Sequence, residues 1–299
     1  MRLAAADIGS NAVRFIFYNI YETPEGPVFK KISVVRLPVR LGEEVFNTGV
    51  VSEAKTEALV KALKAFRLMA EVHGCTHVRV MATSAMREAE NSLEIVQKVY
   101  YATGLEVEII DGREEARYLF ANVRDLKLSD KWDYLHVDVG GGSTELTLFN
   151  KKNVLFSGSY NIGTLRMLGG KNLDKEWKSL FEDLKKALRG RRTSLRIVGT
   201  GGNINKLHRL SGLKEGEPMK RKLLEAIFKM LKSLSYEERL VKLGLNHDRA
   251  DVIIPAAEIF IRLAKELNVN TILVPKLGLS DGIIHAMYEE IKRTGKDRF

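Results

Sequence analysis

The sequence predicts an α/β protein made of two similar halves. Three observations predict it. Short runs rich in β-branched and aromatic residues alternate with longer stretches whose apolar positions recur at helical spacing. An Asp-led Gly/Ser turn between two apolar runs occurs twice, as Asp7-Ile8-Gly9-Ser10-Asn11 and as Asp138-Val139-Gly140-Gly141-Gly142-Ser143-Thr144-Glu145, which marks an internal duplication. The 299 residues amount to about two domains at roughly 150 residues each. Two such halves facing each other would leave a cleft lined by both turns.

In the first half, residues 3–6 and 13–20 read as two strands around a tight Gly9-Ser10 turn. Pro24-Glu25-Gly26-Pro27 is a second turn, and residues 28–37 continue the sheet. Ser52 is a cap for a helix carrying Leu59, Leu63, Phe66 and Met69 on one face, stopped at Gly74. Residues 78–82 form a strand. Asn91 with Glu94 three positions on reads as a capping box for a helix ending at Gly104. A strand over 105–110 and a helix over 113–123 follow.

The pattern then restarts. Residues 134–139, 145–149 and 154–160 read as strands, with the second Gly-rich turn between the first two. A helix spans about 173–188 and a strand 195–198. The remainder is mostly helical, at 203–210, 220–234, 236–243 and 250–267. One more strand falls at 271–274, and a last helix spans 281–292.

Composition excludes several classes. With 45% hydrophobic and 29% charged residues the chain is ordinary globular material, not disordered or fibrous. No apolar run approaches the ~18 residues of a membrane-spanning helix. Asp7 interrupts the apolar start before a signal-peptide core could form, so a cytoplasmic protein is expected. A single cysteine, Cys75, excludes an internal disulfide and a Cys-rich metal site. The net charge of +10 is concentrated. Residues 164–242 hold 20 Lys/Arg against 9 Asp/Glu, and the rest of the chain is close to neutral. A one-sided positive field attracts a polyanion, although Lys-rich helix faces that are merely solvated look the same.

The two Gly/Ser turns suit phosphate. Glycine lets the backbone come close to a ligand, and successive amides in such a turn form an anion nest. Ser10, Asn11, Ser143 and Thr144 add side-chain donors. An Asp before each turn repels phosphate directly but can hold a divalent cation that binds it. Gly199-Thr200-Gly201-Gly202-Asn203 follows a strand and opens a helix, the arrangement that aims free amides at an anion. Thr83, Ser84 and Arg87 offer two hydroxyls and a guanidinium at a strand end; a capped helix start with a surface Arg is the plainer alternative. Glu114 and Glu115 sit in the first turn of a helix, where the dipole alone favours carboxylates. Adjacent helical residues point about 100° apart, so only one of the two can face a bound phosphate and deprotonate a water there.

Taken together, Asp7-x-Gly-Ser-Asn, Ala82-Thr-Ser-Ala-x-Arg-Glu-Ala with Asn91, Gly112-Arg-Glu-Glu-Ala-Arg, Asp138-x-Gly-Gly-Gly-Ser-Thr-Glu-Leu and Gly199-Thr-Gly-Gly resemble the exopolyphosphatase/guanosine pentaphosphate phosphohydrolase (Ppx/GppA) family. Arg249-Ala-Asp251-Val-Ile-Ile-Pro and Gly278-Leu-Ser-Asp281-Gly continue the resemblance. It implies two duplicated ribonuclease-H-like domains of the actin-like ATPase fold around an interdomain cleft, here residues 1–123 and 124–280, with the segment 281–299 packing back on the first. It implies release of terminal phosphate from inorganic polyphosphate, from guanosine pentaphosphate (pppGpp), or from both, with Mg²⁺ or another divalent cation. By the same resemblance Glu115 matches the catalytic base, and Asp138 and Glu145 match an acidic pair at the metal and the attacking water. Asp7 matches a further metal position. Ser10, Asn11, Thr83, Ser84, Arg87, Gly140, Gly141, Gly142, Ser143, Gly201 and Gly202 fall at phosphate-binding positions. Expected partners are polyphosphate and guanosine penta- or tetraphosphate, with a homodimer in keeping with the family and neither nucleic acid nor membrane.

The chain departs from many relatives in three ways, the mildest being Asn11-Ala-Val-Arg14 where relatives often have Phe or Val with Arg after the Ser-Asn. It resembles the short, two-domain form, without a C-terminal helical domain. Ser280 stands where relatives often carry Arg or Lys. Two other functions compete: a small-molecule kinase of the same fold, which would need an adenosine pocket and an organic acceptor site, and a non-catalytic nucleotide-regulated protein. The Ser10-Asn11 of the first loop and the Glu of Gly112-Arg-Glu-Glu favour water as acceptor. The set Asp7, Glu115, Asp138 and Glu145 argues against a dead enzyme, since unused carboxylates crowded together repel.

Overall fold

Small and large residues alternate across the first hairpin and set its packing. The computed structural model describes residues 1–124, 126–150, 153–191 and 194–295. Strand β1 (Arg2–Ile8) pairs antiparallel with β2 (Val13–Thr23), which pairs antiparallel with β3 (Gly26–Leu37). Ala4 and Ala6 lie opposite Phe17 and Phe15. Both phenylalanines meet Phe66 of α2 (Glu53–Val72), at ring distances of 5.7 and 4.8 Å, so large β2 side chains fill the room the alanines leave. Each such ring, fully buried, contributes about 1.5–3 kcal/mol. Helix α1 (Leu41–Thr48) precedes α2, and Ser52 accepts from the Lys55 amide as the expected cap.

Strand β4 (His77–Ala82) runs parallel to β1, and after α3 (Ser84–Glu88) and α4 (Ser92–Thr103) strand β5 (Val107–Ile109) runs parallel to β4. Helix α5 (Gly112–Arg124) follows. The sheet order is β3-β2-β1-β4-β5. Its other face, with Leu3, Ala5, Ile16 and Tyr18, is covered by the C-terminal helix through Leu279, Ile283, Ile284 and Met287.

The second sheet repeats the first. Strands β6 (Asp133–Val139), β7 (Thr144–Phe149) and β8 (Val154–Tyr160) form an antiparallel meander. After α6 (Thr164–Leu168) and α7 (Asp174–Leu188), strand β9 (Leu195–Thr200) runs parallel to β6. Helix α8 (Gly202–Leu210), strand β10 (Met219–Lys220), helices α9 (Arg221–Ser233), α10 (Tyr236–Leu243), α11 (His247–Ala250) and α12 (Ile253–Glu266), strand β11 (Thr271–Leu273) and helix α13 (Leu279–Thr294) complete the chain. The order is β10-β11-β9-β6-β7-β8. Read from β8 to β11 it matches the first sheet strand for strand, with the short antiparallel β10 added. The chain divides into two units, residues 1–121 with the chain from Leu279 onward, and residues 122–278. The α/β fold with a duplicated sheet is the one expected. Of the segment 281–299, residues 296–299 lie outside the described residues.

Three local expectations are corrected. Asn91 does not build a capping box: its side chain accepts from the Val51 amide and donates to the Val51 carbonyl, at 3.0 and 2.8 Å, so a tertiary contact takes the groups a cap would use. The helix expected over 250–267 begins only at Ile253, as α12, after the separate α11 has ended at Ala250. Pro255 has no amide hydrogen and its ring clashes with the carbonyl four residues back, so helix cannot run through residue 251, and Pro255 instead sits in the first turn of α12. Helix α1 was not anticipated; it starts after Arg40, which takes a left-handed backbone at φ 55°.

Candidate active site

In each unit the residues singled out from sequence gather at the carboxyl ends of parallel strands, where open α/β sheets bind ligands. In the first unit the hairpin register leaves residues 9–12 as the turn, closed by the Gly9 amide to the Ala12 carbonyl at 3.2 Å. The Ser10 carbonyl accepts from the Gly42 amide at 2.8 Å and the Asn11 carbonyl from the Arg40 amide at 3.1 Å. The start of α1 is therefore seated on this turn. Gly42 permits it: a Cβ there would come within 2.8 Å of Ser10 Cβ. The left-handed conformation of Arg40 costs roughly 1–2 kcal/mol, offset in part by Lys55 Nζ donating to its carbonyl at 2.6 Å.

The ends of β1, β4 and β5 are tied together by two further bonds. The Thr83 amide donates to the Ile8 carbonyl, and the Ile110 amide to the Ala82 carbonyl. Thr83 and Ser84 are buried, and Ser84 Oγ donates to Glu88 Oε1 at 3.2 Å. Arg87 reaches across: its Nη1 donates to the Ile110 carbonyl at 2.8 Å and stands 3.5 Å from Glu115 Oε2. The two glutamates of α5 separate as helical geometry requires. Asp111 Oδ1 accepts the Arg113 and Glu114 amides, and Glu114 Oε2 accepts the Asp111 amide, so Glu114 serves the helix start. The bonded Glu114 amide, above all, holds the Asp111 carboxyl below its ordinary pKa. Glu115, buried, faces Arg87.

The second unit's turn is clamped from one side. The carbonyls of Gly140, Gly141 and Gly142 accept, in order, from the Thr164 amide (3.0 Å), the Leu165 amide (2.8 Å) and Arg166 Nε (2.6 Å). In a planar trans peptide the amide hydrogen points opposite to the carbonyl. The amides of Gly141, Gly142 and Ser143 are thereby turned away from residues 164–166, as an anion nest demands. Gly163 is required for this fit, because a Cβ there would overlap the backbone of Gly141 and Gly142.

Asp138 and Glu145 are direct cross-strand partners on β6 and β7, so their side chains share a face with Cβ atoms roughly 4.5–5.5 Å apart. Glu145 is almost fully buried and Oε1 accepts from Ser159 Oγ at 2.9 Å. Asp138 Oδ2 accepts from Thr200 Oγ1 at 2.5 Å. Thr200 Oγ1 also lies 2.8 Å from His136 Nε2. The Asp138 carboxylate rests against Gly201, whose absent Cβ would fall 3.2 Å from both its oxygens. The Asp138 turn and the Gly199–Gly202 loop thus meet at the start of α8. Burial alone pushes the His136 imidazole down to about 3, so the ring is neutral.

The two repeats differ at one telling position. Asp7 faces Arg14 across its hairpin, whereas Asp138 faces Glu145. Like charges directly opposite are destabilising, and a divalent cation between them removes that cost. Among the described residues no group of three or more His, Cys, Asp or Glu side chains stands where it could hold a metal. The donor set still fits Mg²⁺, which keeps its waters and binds through one or two carboxylates plus substrate phosphates rather than in an all-protein cage.

The model of the Ppx/GppA phosphatase family matches residues 20–291. The chain belongs to that family. Exopolyphosphatase 1 of Mycobacterium tuberculosis is 25% identical over 310 aligned residues, covering 95% of this chain and 87% of the relative. The crystal structure of the Ppx/GppA family member of Aquifex aeolicus, 27% identical, superposes with a TM-score of 0.75 over 98% of this chain and 99% of that one. An exopolyphosphatase from Cytophaga hutchinsonii, 22% identical, shares the fold with a TM-score of 0.87 over 97% and 98%.

Within this Ppx/GppA chain the expected site residues form two clusters. Asp7, Ser10, Asn11, Thr83, Ser84, Arg87 and Glu115 lie in the first unit, and Asp138, residues 140–143, Glu145, Gly201 and Gly202 in the second. Sequence reasoning passed over Arg40, Gly163, Arg166, His136 and the hydroxyl of Thr200. For His136 a signal existed: it precedes Asp138 by two on a strand and so shares its face. For Arg40, Gly163 and Arg166 no local pattern marks the contact, because each meets a turn distant in sequence. No helix among the described residues is long and apolar enough to cross a membrane.

Proposed function

We propose that this chain hydrolyses the terminal phosphoanhydride of inorganic polyphosphate, releasing orthophosphate and a chain one unit shorter. Guanosine pentaphosphate, which carries the same terminal linkage, is included as a second substrate. The observation that carries the reading is Arg87 Nη1 at 3.5 Å from the buried Glu115 Oε2. A guanidinium suited to a phosphate's oxygens stands beside a carboxylate suited to taking a proton from water. Exopolyphosphatase relatives along nearly the whole chain support the same substrate.

In this mechanism Arg87 is the first unit's donor to phosphate oxygens, and the amides of Gly141, Gly142 and Ser143 are the second unit's. Glu115 accepts a proton as the water oxygen bonds to phosphorus and the bridging P–O bond breaks, and the rest of the polyphosphate leaves. Phosphoryl transfer rests on positioning and charge neutralisation. Asp138 and Glu145 would hold Mg²⁺, which when bound supplies that neutralisation at the phosphate oxygens. Asp7 keeps its expected role as a further metal position in the first unit.

The test is phosphate release measured side by side on long polyphosphate, short polyphosphate and pppGpp, each with and without Mg²⁺. The expected result is Mg²⁺-dependent release from polyphosphate. Absence of release from all three would overturn the reading; release from pppGpp alone would overturn the choice of polyphosphate.

A further inference from the structure

Strand alternation places His136 and Asp138 on one face of β6, and the parallel register sets Thr200 of β9 beside Asp138. His136 and Thr200 are both buried. The contacts run His136 Nε2 to Thr200 Oγ1 at 2.8 Å and Thr200 Oγ1 to Asp138 Oδ2 at 2.5 Å. A hydroxyl has one proton to give. Ionised Asp138 only accepts, so that proton goes to Oδ2. The Thr200 oxygen must then accept from the ring, which fixes the proton of His136 on Nε2. The result is a directed chain, Nε2–H to Oγ1–H to Oδ2, ending on one oxygen of a carboxylate that also abuts Gly201.

We propose that His136 and Thr200 are positioning residues, holding the Asp138 carboxylate in a single orientation beside the Gly199–Gly202 loop of its own unit. The proposal rests on the polyphosphatase reading above, since it gives Asp138 a task that orientation serves. Thr200 bonds Asp138 and His136 bonds Thr200, both from buried positions, and neither is assigned a contact with substrate. Outer groups that orient a metal-binding carboxylate typically matter by 10–100-fold in affinity or activity. Chains of hydrogen bonds of this kind strengthen one another in a low-dielectric interior.

Four variants separate orientation from packing. Thr200→Val keeps the shape and removes the hydroxyl; Thr200→Ser keeps the hydroxyl and removes the methyl. His136→Leu removes the ring donor; His136→Gln retains an N–H donor. Each is measured for thermal midpoint, for kcat and KM on polyphosphate, and by calorimetry for binding of polyphosphate together with Mg²⁺. Thr200→Val and His136→Leu should each lower kcat about 10–100-fold with folding retained, while Thr200→Ser recovers most of the loss. The double variant Thr200→Val/His136→Leu should be little worse than either single, because one chain is broken twice. Wild-type kcat in a folded Thr200→Val protein would overturn the proposal, as would Thr200→Ser proving as damaged as Thr200→Val. If Thr200→Val does not fold, the pair His136→Leu and His136→Gln decides by the same criterion. A wild-type protein that binds polyphosphate with Mg²⁺ but does not cleave it defeats the hydrolase reading alone. The chain is then judged by binding, which Thr200→Val must weaken about tenfold or more for the proposal to stand. Wild-type protein that neither binds nor cleaves overturns both.

Discussion

Glu114 and Glu115 occupy successive positions and take different duties, which makes them a paired test. Glu115, beside Arg87, should be the base: Glu115→Gln is expected to lower kcat on polyphosphate by about 10²–10⁴ with the thermal midpoint unchanged. Glu114 accepts the Asp111 amide at the helix start, so Glu114→Gln should alter turnover little. Near wild-type turnover in Glu115→Gln sinks the assignment. Asp138 and Glu145 face each other across β6 and β7 and should share one cation. Asp138→Asn or Glu145→Gln should raise the Mg²⁺ concentration needed for half-maximal activity, and EDTA should abolish wild-type activity. Full activity in EDTA would refute a metal at this pair.

The turns act through the elements that clamp them. The Gly140–Gly142 turn keeps its shape because residues 164–166 take its three carbonyls. Gly163 lets that segment approach within backbone contact. Gly163→Ala should therefore push the segment away, lowering kcat and the thermal midpoint together. Gly201 carries a second constraint, with φ at 92°, a conformation that costs a residue with a Cβ roughly 1–3 kcal/mol. Its Cβ would also crowd the Asp138 carboxylate. Gly201→Ala is expected to lose activity, read as kcat, out of proportion to its loss of stability, read as thermal midpoint. A Gly163→Ala protein with native midpoint and turnover would mean that the clamp does not shape the site.

Charge is distributed unevenly over the whole molecule. Residues 164–242, with an excess of eleven positive charges, fall within the unit that carries the Asp138 turn. A long polyanion binding there releases counterions, so its KM should rise with salt more steeply than that of a short substrate. At the start of α9 the three basic residues are not equivalent. Arg221 is half-buried and donates to the Ala264 carbonyl, while Lys220 and Lys222 are exposed. The double variant Lys220→Glu/Lys222→Glu should raise KM for long polyphosphate with less effect on pppGpp. Equal effects on both substrates, or none, would reduce the positive segment to a solvated surface.

The duplicated α/β pattern was legible in the chain because strands and helices here follow local periodicity, and because Asp7 and Asp138 open matching turns. Glu115 could be preferred to Glu114 only through resemblance, and its contact with Arg87 needed the ends of β4 and β5 brought side by side. The same holds for Asp138. Its two-residue spacing from His136 is written in the strand, but Thr200 and Gly201 reach it only when β9 pairs with β6. Asn91 shows the converse, a plausible local cap overruled when Val51 offers both an amide and a carbonyl. Spacing along the chain decides which side chains share a face. Which face meets which turn depends on strand pairing between segments some 60 residues apart, and on where a glycine leaves room for the backbone of another segment.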